Sequence, residues 1–489
     1  MSNSVRENSS SPTSSSVGHP HRWFILVVVL MAEVMDLLDG TIVNIAAPAI
    51  QGDLGASSTA LQWIVGGYPL AIAVGLITGG RLGDLHGRKR MFLLGCAGFT
   101  FASLLCAVAP STGTLIAARL LQGALGAAML PQGFGLMRDV FPPEEIGKAF
   151  GLFGPVIGSA AVFGPIIGGG LVDLDLLGTG WRLVFLVNLP VGLTATYLGW
   201  RLLPDVRDGH AQRLDLLGTA IITAGSLLVV YPLIQGRELD WPAWTFASVA
   251  AGIALFVVFG LQQRARDRAG HDPLVTPSVF AQRGFSAGLA VAAVFFAGMI
   301  GSLLALTLYL QIGEGFSAIH AGLTLIPSSV GLVVGAGLSG GFLGPRFGRI
   351  VLQAGAVVAL GGWLLVILAL HGDSTLSAGQ LVPGLLVQGL GIGLIVAPMF
   401  DIILAAVTDP ETGSASGVLN AAQQLAGAVG VAVLGTIFFT AAEAGDFATA
   451  LSHTLWVTVG MLAAVLLLSP LLPRFARPPA AEVRAAPAA

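Results

Sequence analysis

The sequence predicts an all-α polytopic membrane protein of about fourteen transmembrane helices, and three observations carry that prediction. The 489 residues are 55% hydrophobic and only 10% charged, with mean hydropathy +0.85, a balance that soluble domains do not show. There are 67 glycines, and small residues let membrane helices approach backbone to backbone where lipid gives no hydrophobic drive between them. Basic residues are sorted to one side. With the N-terminus cytoplasmic, 20 of the 23 Lys and Arg fall in tails and loops of that side, the 23 less Arg119, Arg182 and Arg237. A missed span would scramble this sorting. Net charge of −3 says little when charge is sorted rather than summed. Cys96 and Cys106 share one apolar segment, so neither a disulfide framework nor a thiolate metal site is indicated.

Taken in order, residues 1–22 are Ser-rich and polar and are expected to form a disordered cytoplasmic tail. The run from Trp23 is longer than a signal-peptide core, and Pro48 interrupts the nearby Ala-x-Ala, which disfavours a cleaved leader. Apolar blocks bounded by charge, Pro or Gly clusters then fall at roughly 23–47, 60–80, 90–109, 112–138, 147–171, 183–203, 214–235, 244–263, 284–311, 320–343, 349–370, 379–402, 413–440 and 450–472. Short linkers leave no room for a soluble domain, so the function is expected inside the membrane. Arg264, Arg266 and Arg268 read as a cytoplasmic marker, not as a nucleic-acid surface.

The chain also repeats itself. GGRLGDLHGRK begins at Gly79 and GGFLGPRFGRI at Gly340, an offset of 261; Gln122-Gly123 and Gln388-Gly389 are offset by 266, as are Gly164 and Gly430. These offsets predict two six-helix halves, 23–203 and 271–472, around an inserted helix pair within 204–270, with a cytoplasmic tail at 473–489.

The most informative span is the first. It holds Glu33, Asp36 and Asp39, and an Asp near a helix centre costs roughly 2.5–3.5 kcal/mol on insertion scales. At about 100° per residue, Asp36, Asp39, Gly40 and Asn44 share an arc with Glu33, while Met35, Leu38, Ile42 and Ile45 lie opposite. An acidic face belongs against a protein interior or watery cavity. Neutralisation inside a packed bundle could account for one acid but accounts poorly for three.

Several motifs resemble those of the major facilitator superfamily. In the loop after the second span, Gly80, Asp84, Gly87, Arg88 and Lys89 stand at the spacing of its signature between helices 2 and 3. Glycines permit a tight turn, and Asp84 can cap a helix and pair with a base to latch the two halves in one state; a basic loop alone would be only an orientation anchor. The second copy has Pro345 in place of Asp84. LIAARLLQGALGAA, Leu115 to Ala128, resembles the fourth-helix motif, with Arg119 as its intramembrane cation and Gln122-Gly123 following. GSAAVFGPIIGGGL, Gly158 to Leu171, resembles the fifth-helix motif of antiporters through Gly158, Gly164, Pro165, Gly168 and Gly169.

LDGTIVNIAAP, Leu38 to Pro48, resembles the first-helix motif of the fourteen-helix drug:proton antiporter branch, with Asp39, Thr41 and Asn44 at its polar positions and Asp36 and Glu33 as additions. WRLVFLVNLPVG, from Trp181, and GVLNAAQQLAGAVGVAVLG, from Gly417, resemble the same branch. The resemblance implies the major facilitator fold and export of lipophilic, often cationic, drugs or antibiotics by alternating access. Proton coupling would fall to Asp39, Asp36, Glu33 and Arg119, and substrate contacts to Asp36, Asn44, Gln122 and Gln388. It implies no cofactor and no metal, the proton gradient being the drive, with protons, membrane lipids and a small molecule as partners in a bacterial cytoplasmic membrane.

An importer, or an exporter of an endogenous metabolite, on the same fold is the alternative. No G-x-x-x-x-G-K-[S/T] loop is present, which argues against ATP-driven transport, and no H-E-x-x-H or G-x-S-x-G pattern points to an enzyme.

Overall fold

The computed structural model describes residues 19–142, 145, 148–149, 152–205, 215–371, 376–408 and 411–476. Most of both expected tails, with Arg207 and Arg213 before the inserted pair, lies outside these described residues. Among the described residues, twelve helices are long and apolar enough to cross a membrane. They are α2 (Ser58–His86), α3 (Arg88–Ala107), α4 (Thr112–Val140), α6 (Gly180–Leu202), α7 (Leu216–Gln235), α8 (Ala243–Arg268), α9 (Arg283–Gly313), α10 (Ala318–Phe347), α11 (Arg349–Leu370), α12 (Ala378–Ala405), α13 (Thr412–Ala442) and α14 (Phe447–Leu471). The acid-bearing α1 (Arg22–Leu54) and α5 (Phe153–Leu174) complete a set compatible with fourteen spans.

Helix α1 outruns its expected end at residue 47 and continues through Pro48 to Leu54. Proline lacks the N–H that would bond four residues back, so a helix through it needs support from neighbours. One turn before Pro48, Gln311 of α9 donates its amide at 2.9 Å to the Ile45 carbonyl and ties α1 to the other half. Gly55, at φ 60°, then ends the helix in the left-handed conformation that glycine adopts without strain.

The repeat is built into the structure as well as the sequence. Gly87 (φ 93°) and Gly348 (φ 55°), 261 residues apart, make the corresponding turns from α2 to α3 and from α10 to α11. Gly164 packs α5 onto Thr41 of α1; its counterpart Gly430 packs α13 onto the Ala297 backbone of α9. In each half a pair of helices is therefore drawn together by a glycine at the same register.

Two helix pairs form the seam between the halves, α2 with α13 and α5 with α10. Two polar contacts across it lie at the end of the bundle that holds the α1–α2 turn. There the Gln62 amide donates to the carbonyls of Val431 (3.2 Å) and Ala432 (3.1 Å). The Asp173 carboxylate accepts the N–H groups of Ala318 (3.2 Å) and Ile319 (2.9 Å), so an acid of α5 caps a helix of the other half. The inserted pair sits outside: α7 lies against α2 and α13, with Thr78 and Thr219 hydroxyls 3.0 Å apart, and α8 lies against α7.

Asp215 pins the base of this pair. It accepts the Gly218 N–H at 2.9 Å and amides of Gln262 (3.0 Å) and Gln263 (2.7 Å). Burial alone would raise its carboxyl, but these donors and the Arg266 charge hold it below the usual carboxylate range. A folded-state value below the unfolded one gives stability that is present above the unfolded pKa of about 3.9 and is lost as pH falls through the folded value. Asp215→Asn is therefore expected to melt below the parent at pH 7, with the gap closing below about pH 4. A gap that stays constant in scans from pH 7 to 3 contradicts the assignment.

Candidate functional site

The acidic arc of α1 turns inward. Asp39 is 1% exposed and is held by side chains of α4 and α6. Arg119 of α4 forms an ion pair with Oδ2, while Oδ1 accepts the Gln122 amide at 2.8 Å and the Asn188 amide at 2.9 Å. Arg119, equally buried, also donates to Gln122 Oε1 (2.7 Å) and to the Ile64 carbonyl (3.2 Å). The Ser103 hydroxyl accepts from Gln122 at 2.8 Å and from Asn188 at 3.3 Å. Every partner of Asp39 is a donor, an arrangement suited to a carboxylate.

Asp36 is joined to this cluster through Tyr68 of α2. The Tyr68 hydroxyl donates to Asp36 Oδ1, and its ring lies 4.2 Å beneath the Arg119 guanidinium, a cation–π contact that gains strength where water is excluded. Asp36, Tyr68, Arg119 and Asp39 thus form one connected chain of charge and hydrogen bond. Glu33 lies a turn away, facing Gly133 of α4, where a Cβ would stand 3.8 Å from its Oε1.

The other expected site residues divide. Gln122 joins the cluster. Asn44 lies further along α1, donates to the Gly40 carbonyl at 2.8 Å, and keeps a buried Oδ1 with no partner among the described residues. Gln388 does not join: it sits in the other half, accepting the Ser328 hydroxyl at 2.8 Å across α10 and α12. Tyr68, Asn188 and Ser103 are cluster members that sequence reasoning did not assign. Asn188 stood within the quoted stretch from Trp181, and Tyr68 is one of only four tyrosines, set in an apolar run; Ser103 carried no signal.

The expected latch residues make their contacts within the first half. Arg88 pairs with Asp139 of α4 at 2.7 Å and lies 3.6 Å from Asp84, while Lys89 donates to the Leu203 carbonyl at 2.5 Å. Gly80 faces Pro131, and Gly87 supplies the positive φ of the turn. In this conformation the group ties α2, α3 and α4 together; the pairs run inside one half rather than between the two.

The α5 motif has two working faces. Gly164 and Gly168 meet Thr41 and Ile42 of α1, within a turn of Asp39, whereas Gly169 meets the Ala318 backbone of α10. Gly322 of α10 returns the contact onto the Pro165 carbonyl, and Gly158 faces Val333. This helix is consequently a smooth plate between the acid-bearing helix and the opposite half.

Fold and site together define a multi-pass membrane protein of two repeated helical halves, with a buried ion pair at the heart of the first. The profile of the Major Facilitator Superfamily matches residues 29–431, and the chain belongs to that superfamily: it is a transporter, not an enzyme. It is 51% identical to a protein of Streptomyces coelicolor named as a probable actinorhodin transporter, over 88% of this chain and 76% of the relative. A puromycin resistance protein of Streptomyces alboniger is 38% identical over 90% of this chain and 87% of its own length. Among solved structures, a POT family transporter in complex with a thioalcohol conjugated peptide has a similar fold, with TM-score 0.67 at 16% identity, covering 94% of this chain and 98% of that one.

Proposed function

We propose that this transporter exports lipophilic antibiotics or related drugs, cationic ones included, in exchange for protons. The observation that carries the coupling reading is the buried Asp39, held by Arg119, Gln122 and Asn188 inside the membrane-spanning bundle. Burial disfavours the charged form of an acid and a neighbouring cation favours it. A conformational change that moves Arg119 relative to Asp39 therefore changes affinity for the proton. Relatives named for actinorhodin transport and puromycin resistance support an antibiotic as the substrate.

In the cycle, the state open to the outside loads a proton on the Asp39–Asp36 chain. The inward-facing state releases it when substrate enters beside Asp36 and Asn44, and the halves rock about the α2–α13 and α5–α10 seams. The N-terminus lies in the cytoplasm of a bacterial cell, which makes the polar-sealed end of the seam the outer one.

Cells expressing the protein should retain less of a lipophilic antibiotic or cation than cells carrying Asp39→Asn, and an uncoupler that collapses the proton gradient should erase the difference. Uptake raised by the parent protein in energised right-side-out vesicles would instead establish an importer.

A further inference from the structure

We infer that the inserted helix pair carries a binding site for an acidic phospholipid, formed where α8 meets the short segment leading into α9. A cavity of about 330 Å³ lies there, between Phe256, Val257, Gly260 and Arg264 of α8 and Pro277 and Phe280 of the following segment. Phe256, Gly260 and Arg264 are four residues apart and so form one stripe of the helix, about 12 Å long at 1.5 Å per residue. Its middle is hollow, for a Cβ built on Gly260 would meet nothing within 4 Å.

Both walls are fixed. Gln263 is buried and spans the gap behind the cavity, donating to Asp215 at 2.7 Å and accepting the Val275 N–H at 3.1 Å. On the far wall the Phe280 carbonyl accepts the Ser286 hydroxyl at 2.8 Å. The groove is therefore a shaped feature of the pair, and it opens on the helix that is least covered by the rest of the protein.

Charge selects the occupant. Arg266 is committed, lying 3.5 Å from the Asp215 carboxylate and donating to the Asp272 carbonyl. Arg264, at the charged end of the stripe, is exposed and has no hydrogen-bond or ion-pair partner among the described residues. A guanidinium above an apolar slot matches a phosphate headgroup above an acyl chain, since its fork of donors fits phosphate oxygens. Basic pockets at helix ends recognise acidic headgroups in this way.

The test uses the full-length protein and native mass spectrometry, with phosphatidylglycerol and phosphatidylcholine of the same acyl chains. The parent protein should retain phosphatidylglycerol about fivefold better, the preference expected of one arginine near the membrane surface. Arg264→Gln should erase the preference, and Gly260→Leu, which fills the slot, should reduce retention of both lipids. Millimolar inorganic phosphate should not displace the lipid; complete displacement would overturn the lipid assignment in favour of a simple phosphate site. Equal retention of both lipids by the parent, or a preference unchanged in Arg264→Gln, would overturn the proposal. Melting curves matching the parent confirm that each variant is folded, and Arg264→Lys, which keeps the charge, should keep much of the preference.

Discussion

Replacing Asp39 by Asn is expected to abolish substrate-coupled proton movement and also to destabilise the protein. Arg119 is 1% exposed and draws its compensating charge from Asp39. Removing one member of a buried pair strands the other, at a cost of about 3–5 kcal/mol. The two consequences can be separated. In Asp39→Asn/Arg119→Gln both charges are gone, so most of the lost thermal stability should return while coupling stays absent. Melting temperature and proton flux measured on both variants check this. A double variant that melts as low as the single one would show that the stranded guanidinium is not the cause.

Gly169→Val should hold the halves apart at the polar-sealed end. A Cβ at Gly169 would stand 2.4 Å from the Ala318 carbonyl oxygen and 2.6 Å from Ile319 Cα, against an optimal separation of about 3.5–4.0 Å. The obstacle is backbone, so no side-chain rotation relieves it, and the Asp173 cap on Ala318 and Ile319 would be pulled away with it. Transport is expected to fall at least about tenfold, the effect of roughly 1.4 kcal/mol on the closed state. Val431→Cys is a suitable reporter, being buried against Gly66 across the seam. With Cys96 and Cys106 replaced by Ala, its labelling by a thiol reagent should rise when Gly169→Val is added. Asp173→Ala should give a weaker rise, in keeping with about 0.5–2 kcal/mol for a helix cap. Labelling unchanged in both variants would mean that this contact does not close the seam.

Much of the fold was legible because its signals are additive along the chain. Long apolar runs, basic residues sorted by side and glycines at matching offsets each report on many residues at once, and α1 to α14 follow the spans they predicted. Ends were less legible. Helix α1 continues through Pro48 to Leu54 and meets the Gln311 amide at the Ile45 carbonyl, 266 residues away in sequence, and no local pattern contains that contact. The site divided in the same way. Asp39, Arg119 and Gln122 were readable because each is a polar residue in an apolar segment, where only a partner justifies its presence. Tyr68 and Ser103 are compatible with any buried helix, and their roles appear only when α2 and α3 are folded against α1 and α4. Gln388 shares its offset with Gln122, yet its partner is the Ser328 hydroxyl, with no acid opposite it among the described residues: the repeat copies the backbone of the halves, while the charge cluster belongs to one of them.

The most direct test of the account is proton release from inverted vesicles containing the protein, recorded while antibiotics and lipophilic cations are added, with Asp39→Asn vesicles alongside. Substrate-triggered proton movement present in the parent and absent in the variant is the predicted result; proton movement of equal size in both, or none with any compound, would contradict drug–proton exchange through Asp39.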